Sequence, residues 1–193
     1  MPENWYKVVE AGTPISQGDL IADCPVMTWV PNRLKIDSGN EVEGLRAAAD
    51  VMRADVVVMT QACDLAQSHV ENIILCPHVS LEEYHGLFEA KMRAERNTPT
   101  TKAWRTHCDD VKDGYIWNLA MINAEDHGDI RTAHRIVDFR EVFTVPRSFI
   151  ESLLAQRGRA RLTLLPPYRE HLSQAFARFF MRVGLPTAVA NAW

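Results

Sequence analysis

No run of apolar residues in this chain of 193 approaches the roughly 18 needed to span a bilayer. The opening Met1-Pro2-Glu3-Asn4-Trp5 has no basic stretch followed by an apolar core, so no secretory leader is expected. Cysteine is scarce. Cys24, Cys63, Cys76 and Cys108 are too widely spread to read as a disulfide framework, and no Cys-x2-Cys knuckle is present. These absences predict a reduced, cytoplasmic protein without membrane association. Internal repeats and low-complexity tracts are also missing. With 47% apolar and 24% charged residues, the composition excludes general disorder. A chain of this length buries a sizeable core without staples, and one domain over residues 1–193 is expected.

Lysine is absent from Arg131 onward, where arginine is abundant. Ten arginines (131, 135, 140, 147, 157, 159, 161, 169, 178 and 182) face four carboxylates, Asp138, Glu141, Glu151 and Glu170. The C-terminal third is therefore about +6 within a chain of net charge −4. Arginine suits planar bidentate contacts to phosphate or carboxylate. Two readings stay open: contacts to a phosphate-bearing partner, or pairing with the acidic remainder of the chain.

The clearest element is Val56-Val57-Val58-Met59-Thr60, a continuous apolar run that predicts a strand buried on both faces. Asn72-Ile73-Ile74-Leu75-Cys76 predicts a second buried strand, stopped by Pro77. A polar, hairpin-like link, Gln61 to Glu71, joins them. Leu20 to Cys24 reads as a strand, with Pro25 breaking the ladder or marking an edge. Glu41 to Met52 reads as a short helix or a loop. Leu81 to Arg96 reads as a helix and Thr101 to Asp113 as irregular. Strands are expected at Tyr115–Leu119, His134–Phe139 and Val142–Val145. Helices follow at Ser148–Gln156, which Gly158 can terminate, and at about Tyr168–Val183. This order predicts an α+β protein. Strands within 15–80 and 115–145 would form a small antiparallel sheet or barrel. Residues 81–113 would be a helical or irregular insertion, with C-terminal helices over 147–186 packed on the sheet.

Three pieces of the first 80 residues carry a family resemblance. Gly18-Asp19-Leu20-Ile21 opens a strand. Arg53 stands before the apolar strand that ends at Thr60. Ile73-Ile74-Leu75-Cys76-Pro77-His78-Val79-Ser80 ends near a proline and a hydroxyl residue. In these the chain resembles the small-barrel toxins of the MazF/PemK family over about residues 15–80. Ala54 stands where that family places proline, and the family has nothing like Leu81–Asp113 or the long last helix. The resemblance implies an SH3-like barrel of about five strands. It also implies metal-independent RNA cleavage, in a bacterial toxin–antitoxin or defence setting.

That chemistry needs a base for the 2′-hydroxyl, an acid for the leaving oxygen and a cation for the charged phosphorane. By carry-over Arg53 would hold the charge and Ser80 would be the hydroxyl residue. His78 would be acid or base. Arg169, Arg178 and Arg182 on the last helix are candidate phosphate contacts. No cofactor is expected. A zinc set of Cys63, His69, Cys76 and His78 is conceivable if the strands at 56–60 and 72–76 pair. A nucleophilic Cys63 with His69 or His107 is a weaker alternative, and His107-Cys108-Asp109-Asp110 reads as a solvated loop. The expected partner is RNA. The alternative is a non-catalytic module in which the arginine-rich last helix docks a protein or a second copy of the chain.

Overall fold

The computed structural model describes residues 4–35, 39–128 and 130–181. Its centre is β3 (Ala49–Val58). Val56, Val57 and Val58 are completely buried. Successive strand side chains point to opposite faces, so the three valines require a core on each side. Val56 and Val58 pack with Ile21, Val26, Ile73, Leu75 and Ile150. Val57 packs on the other face with Tyr6, Met59, Cys76, Val137 and Phe139.

β3 pairs on one edge with β2 (Leu20–Trp29) and on the other with β4 (Asn72–Ser80). The link from β3 to β4 carries one short helix, α2 (Ala62–Ala66). Pro77 does not stop β4. It lies where β4 changes partner, between β9 (Phe143–Pro146), which pairs with residues 72–75, and β8 (Arg135–Asp138), which pairs with residues 78–80. A residue without an N–H is tolerated at such a gap between ladders. Pro25 is likewise accommodated in β2, which among the described residues has β3 alone beside it there.

β5 (Leu119–Ile122) pairs with β8 and completes the path β2-β3-β4-β8-β5, all antiparallel. Among the described residues β5 and β2 do not pair, so this path does not close into a barrel. β1 (Tyr6–Val9) and β10 (Arg161–Leu164) form a separate ribbon. A bridge from Asp19 to Thr163 ties it to the start of β2. Gly18 makes this close approach possible. A side chain there would meet Leu164 Cβ at 3.0 Å, and its φ is +85°. β6 (Glu125–Asp126) and β7 (Arg131–Thr132) form a small hairpin.

Six α-helices among the described residues complete the α+β architecture. α1 (Glu41–Ala48) precedes β3, and α5 (Arg147–Arg157) covers the first core with Ile150 and Leu154. Gly158, at φ +57°, ends α5 in the left-handed conformation. α6 (Tyr168–Phe180) covers the second core with Leu172, Phe176 and Phe179. α3 (Leu81–Ala94) and α4 (Thr101–Lys112) form a hairpin over the outer face of β4, β8 and β5.

α4 corrects the expectation of an irregular stretch. Thr100 caps it by accepting from the Ala103 N–H at 3.1 Å. Trp104, His107, Cys108 and Val111 recur at three- and four-residue steps along one side. The polar composition hid that stripe. The strand expected at Tyr115–Leu119 begins only at Leu119; the residues before it are a turn.

Candidate functional site

Residue 55 is where three parts of the chain converge. Ile21 pairs with Val56 and Cys24 with Ala54, so Ala22 and Asp23 together face Asp55. This two-against-one arrangement is a β-bulge. Asp23 adopts φ +52° within it. Its N–H donates to Asp55 Oδ1 at 2.8 Å. The bulge opens one wall of a cleft of about 290 Å³.

β4 and β8 supply the floor. His78 and Arg135 lie on the same face of that pair, and both line the cleft. Arg135 Nη1 donates to Asp55 Oδ2 at 2.7 Å and to His78 Nδ1 at 3.1 Å, while Nε donates to Thr132 Oγ1. A guanidinium can only donate, so Nδ1 is the unprotonated nitrogen and the proton of neutral His78 sits on Nε2. Nε2 is buried, with no protein partner in hydrogen-bonding geometry among the described residues. Burial, and then the Arg135 charge, pushes His78 down to about 4. Asp55, the Val56 carbonyl and Glu83 act in the other direction and are outweighed. Burial pushes Asp55 upward, but the Asp23 N–H and Arg135 outweigh it and hold Asp55 below its ordinary value.

The end of α5 and the start of β10 supply the other wall. Around the stop at Gly158 the chain presents Arg157, the last residue of α5, and then Arg159 and Arg161 to the same cleft. Arg157 donates to the carbonyls of Ala22 and Asp23, which pins it across the bulge. Arg161 and Asp19 form a buried pair at 2.8 Å, exposed by only 5% and 1%. Arg161 Nη2 also donates to the carbonyls of Thr13 and Pro14. Its Nη1 is buried without a protein partner among the described residues. Arg159 is exposed and makes no ion pair or hydrogen bond among the described residues. Several guanidinium groups are thus anchored on one side while N–H donors remain on the other. A surplus of donors around a concave surface is what an oxyanion satisfies.

Of the residues singled out from sequence, His78 lies on the cleft floor. Arg53 stands at the rim, where its Nη1 pairs with Asp23 Oδ2 at 2.8 Å; both side chains are mostly exposed. Arg53 does not line the cleft. Ser80 is the N-cap of α3. Its Oγ accepts from the Glu83 N–H at 3.1 Å and donates to Glu83 Oε2 at 2.7 Å, a complete capping box. Arg169 pairs with Glu170 at 2.6 Å and packs near Gly18. Arg178 is exposed on α6, away from the cleft, and Arg182 lies outside the described residues.

Cys63, His69, Cys76 and His78 do not converge. Among the described residues no group of three or more His, Cys, Asp or Glu is placed to hold a metal ion. Cys76 is buried in the second core, where burial pushes its thiol up to about 12. Cys63 is exposed at α2. His107 lies in α4, not in a loop.

Asp55, Arg135, Arg157, Arg159 and Arg161 were not distinguished by sequence reasoning. One signal was visible: arginine at every second position over 157–161 spans the helix stop at Gly158, and Arg159 and Arg161 beyond it fall on one side of an extended chain. No helix among the described residues is long and apolar enough to cross a membrane. Comparison with protein-family models, with curated proteins and with solved structures finds no match to this chain.

Proposed function

We propose that this chain is a bacterial-type RNA-acting protein that holds the phosphodiester backbone of single-stranded RNA in the arginine cleft. The observation that carries this reading is the donor surplus: among the described residues Arg159 has no ion pair or hydrogen bond, and the buried Nη1 of Arg161 lacks an acceptor. The cleft also contains a base and cations of the kind that metal-independent cleavage uses. The Asp55 carboxylate can accept the 2′-hydroxyl proton, and Arg135 and Arg159 can offset the phosphorane charge. Neutral His78 orients Arg135 through Nδ1. Attack by the 2′-oxygen on phosphorus breaks the P–O5′ bond; Asp55 keeps the 2′-hydroxyl proton and later releases it to water, the departing 5′-oxygen takes a proton from water, and a 2′,3′-cyclic phosphate and a 5′-hydroxyl end result.

The resemblance to MazF/PemK toxins supports the same reading. On it, β2, β3, β4 and β9 with β10, joined through the Asp19–Thr163 bridge, are an opened form of the five-stranded SH3-like barrel. The test is incubation of end-labelled single-stranded RNA with pure protein in the presence of a chelator. Cyclic-phosphate ends that vanish in Asp55→Asn support cleavage. Saturable binding without new ends reduces the protein to an RNA-binding module. Neither binding nor cleavage overturns the reading.

A different feature favours self-association as a second reading. Beyond the bulge, residues 24–29 of β2 and 49–54 of β3 pair, among the described residues, only with each other. Met27, Trp29 and Val51 lie on one face of this arm at 58%, 58% and 66% exposure. An apolar face between unpaired strand edges is a ready template for another chain. Solution mass measurement tests it. A dimer converted to monomer by Trp29→Asp supports this reading, and a wild-type monomer at high concentration removes it.

A further inference from the structure

The opposite face of the β4–β8 pair carries a second, larger cavity of about 460 Å³. His78 and Arg135 point to the arginine cleft, whereas Pro77, Val79, Ile136 and Asp138 alternate to the other side. The α3–α4 hairpin stands over that side without sealing it. Not one residue of α3 is fully buried, although Tyr84, Leu87, Phe88 and Met92 face the cavity. Leu87 remains 59% exposed. A helix that only packed on the sheet would bury this stripe.

Its walls are flat rings held in place before any ligand arrives. Tyr84 Oη and His107 Nε2 are hydrogen-bonded at 2.9 Å. The His107 ring lies 4.7 Å from Phe88, and Trp104 braces Phe88 at 5.3 Å and His85 at 4.4 Å from behind. Burial holds His107 below its ordinary pKa, so the ring is neutral and stacks without a charge to solvate. One end of the cavity is polar. The Asp138 carboxylate is neutralised by Arg140, which grips both its oxygens. The Asn118 amide makes only a long bond of 3.4 Å to Asp138. Its carbonyl oxygen has no donor among the described residues.

We propose that this cavity binds a free nucleobase or nucleoside, a planar heteroaromatic ring with a hydrogen-bonding edge. The ring stacks against Tyr84 and Phe88, and its edge meets the Asn118 amide. A purely apolar ligand would leave the Asn118 end unsatisfied, and a non-planar one would waste the flat walls. The site is independent of the arginine cleft and does not rest on the RNA-cleaving reading.

Calorimetric titration of the full chain with adenosine, guanosine, cytidine and uridine, and with indole as the apolar comparison, tests this. At least one nucleoside is expected to bind with a Kd below about 1 mM. Phe88→Ala, at a half-buried position on α3, is expected to weaken it about tenfold or more. Asn118→Ala is expected to weaken the nucleoside but not indole, and Arg159→Ala to leave both unchanged. Absence of binding by all four nucleosides at millimolar concentration overturns the proposal. So does indole binding as tightly as the best nucleoside. If Phe88→Ala fails to fold, the Asn118→Ala contrast decides alone.

Discussion

A buried neutral histidine touching an arginine has consequences that titration can read. The value of about 4 for His78 lies below its ordinary 6.5. Between those pH values the unfolded chain binds a proton that the folded chain does not. Stability therefore falls as pH drops from 6.5 toward 4, with a limiting slope of about 1.4 kcal/mol per pH unit. Urea unfolding across that range should show this loss, and His78→Gln should flatten the slope. Arg135→Met removes the neighbouring charge, so the His78 imidazole in that variant should titrate at a higher pH by NMR. Arg53 differs in kind. Its partnership with Asp23 is exposed, and such pairs contribute about 0–1 kcal/mol. Arg53→Ala should barely change the melting temperature, and it should weaken RNA binding less than Arg159→Ala does.

At the scale of elements, two contacts fix the frame around the cleft. The Asp19–Arg161 pair locks β10 to the start of β2 inside the protein. Removing one partner strands a buried charge, so Arg161→Met should cost about 3–5 kcal/mol in chemical denaturation. Asp19→Leu combined with Arg161→Met should recover much of that loss. The second contact is the Ser80 cap. Ser80→Ala should destabilise the protein by about 1 kcal/mol through fraying of α3. RNA affinity should be unchanged, because the Ser80 hydroxyl is engaged with Glu83 and does not line the cleft. A fall in cleavage rate without a fall in stability would instead restore Ser80 as a participant.

For the whole molecule, the α+β class and the twofold burial of β3 were legible because three adjacent valines permit little else. α4 was not, since its apolar stripe is short and interrupted by charge. The continuation of β4 past Pro77 was not legible either, because it depends on a change of partner strand that local sequence does not encode. The site divides in the same way. His78 could be named from its place after a buried strand. Asp55 and Arg135 could not be joined to it, since they meet across 80 residues of chain and only the sheet register brings them together. The arginine excess was visible, but its division was not. Arg135, Arg157 and Arg161 do reach back to acidic partners at Asp55, Asp23 and Asp19, as one reading of the charge pattern held. Arg159 does not.

That unpaired guanidinium makes the salt dependence of RNA binding the most direct test of the central claim. Affinity for a single-stranded oligonucleotide should fall linearly in a log–log plot against salt. Arg159→Ala should bind more weakly and lower the slope by about 0.7, the share of one phosphate contact. Wild-type binding indifferent to salt, or an Arg159→Ala line superimposable on the wild type, would contradict the account.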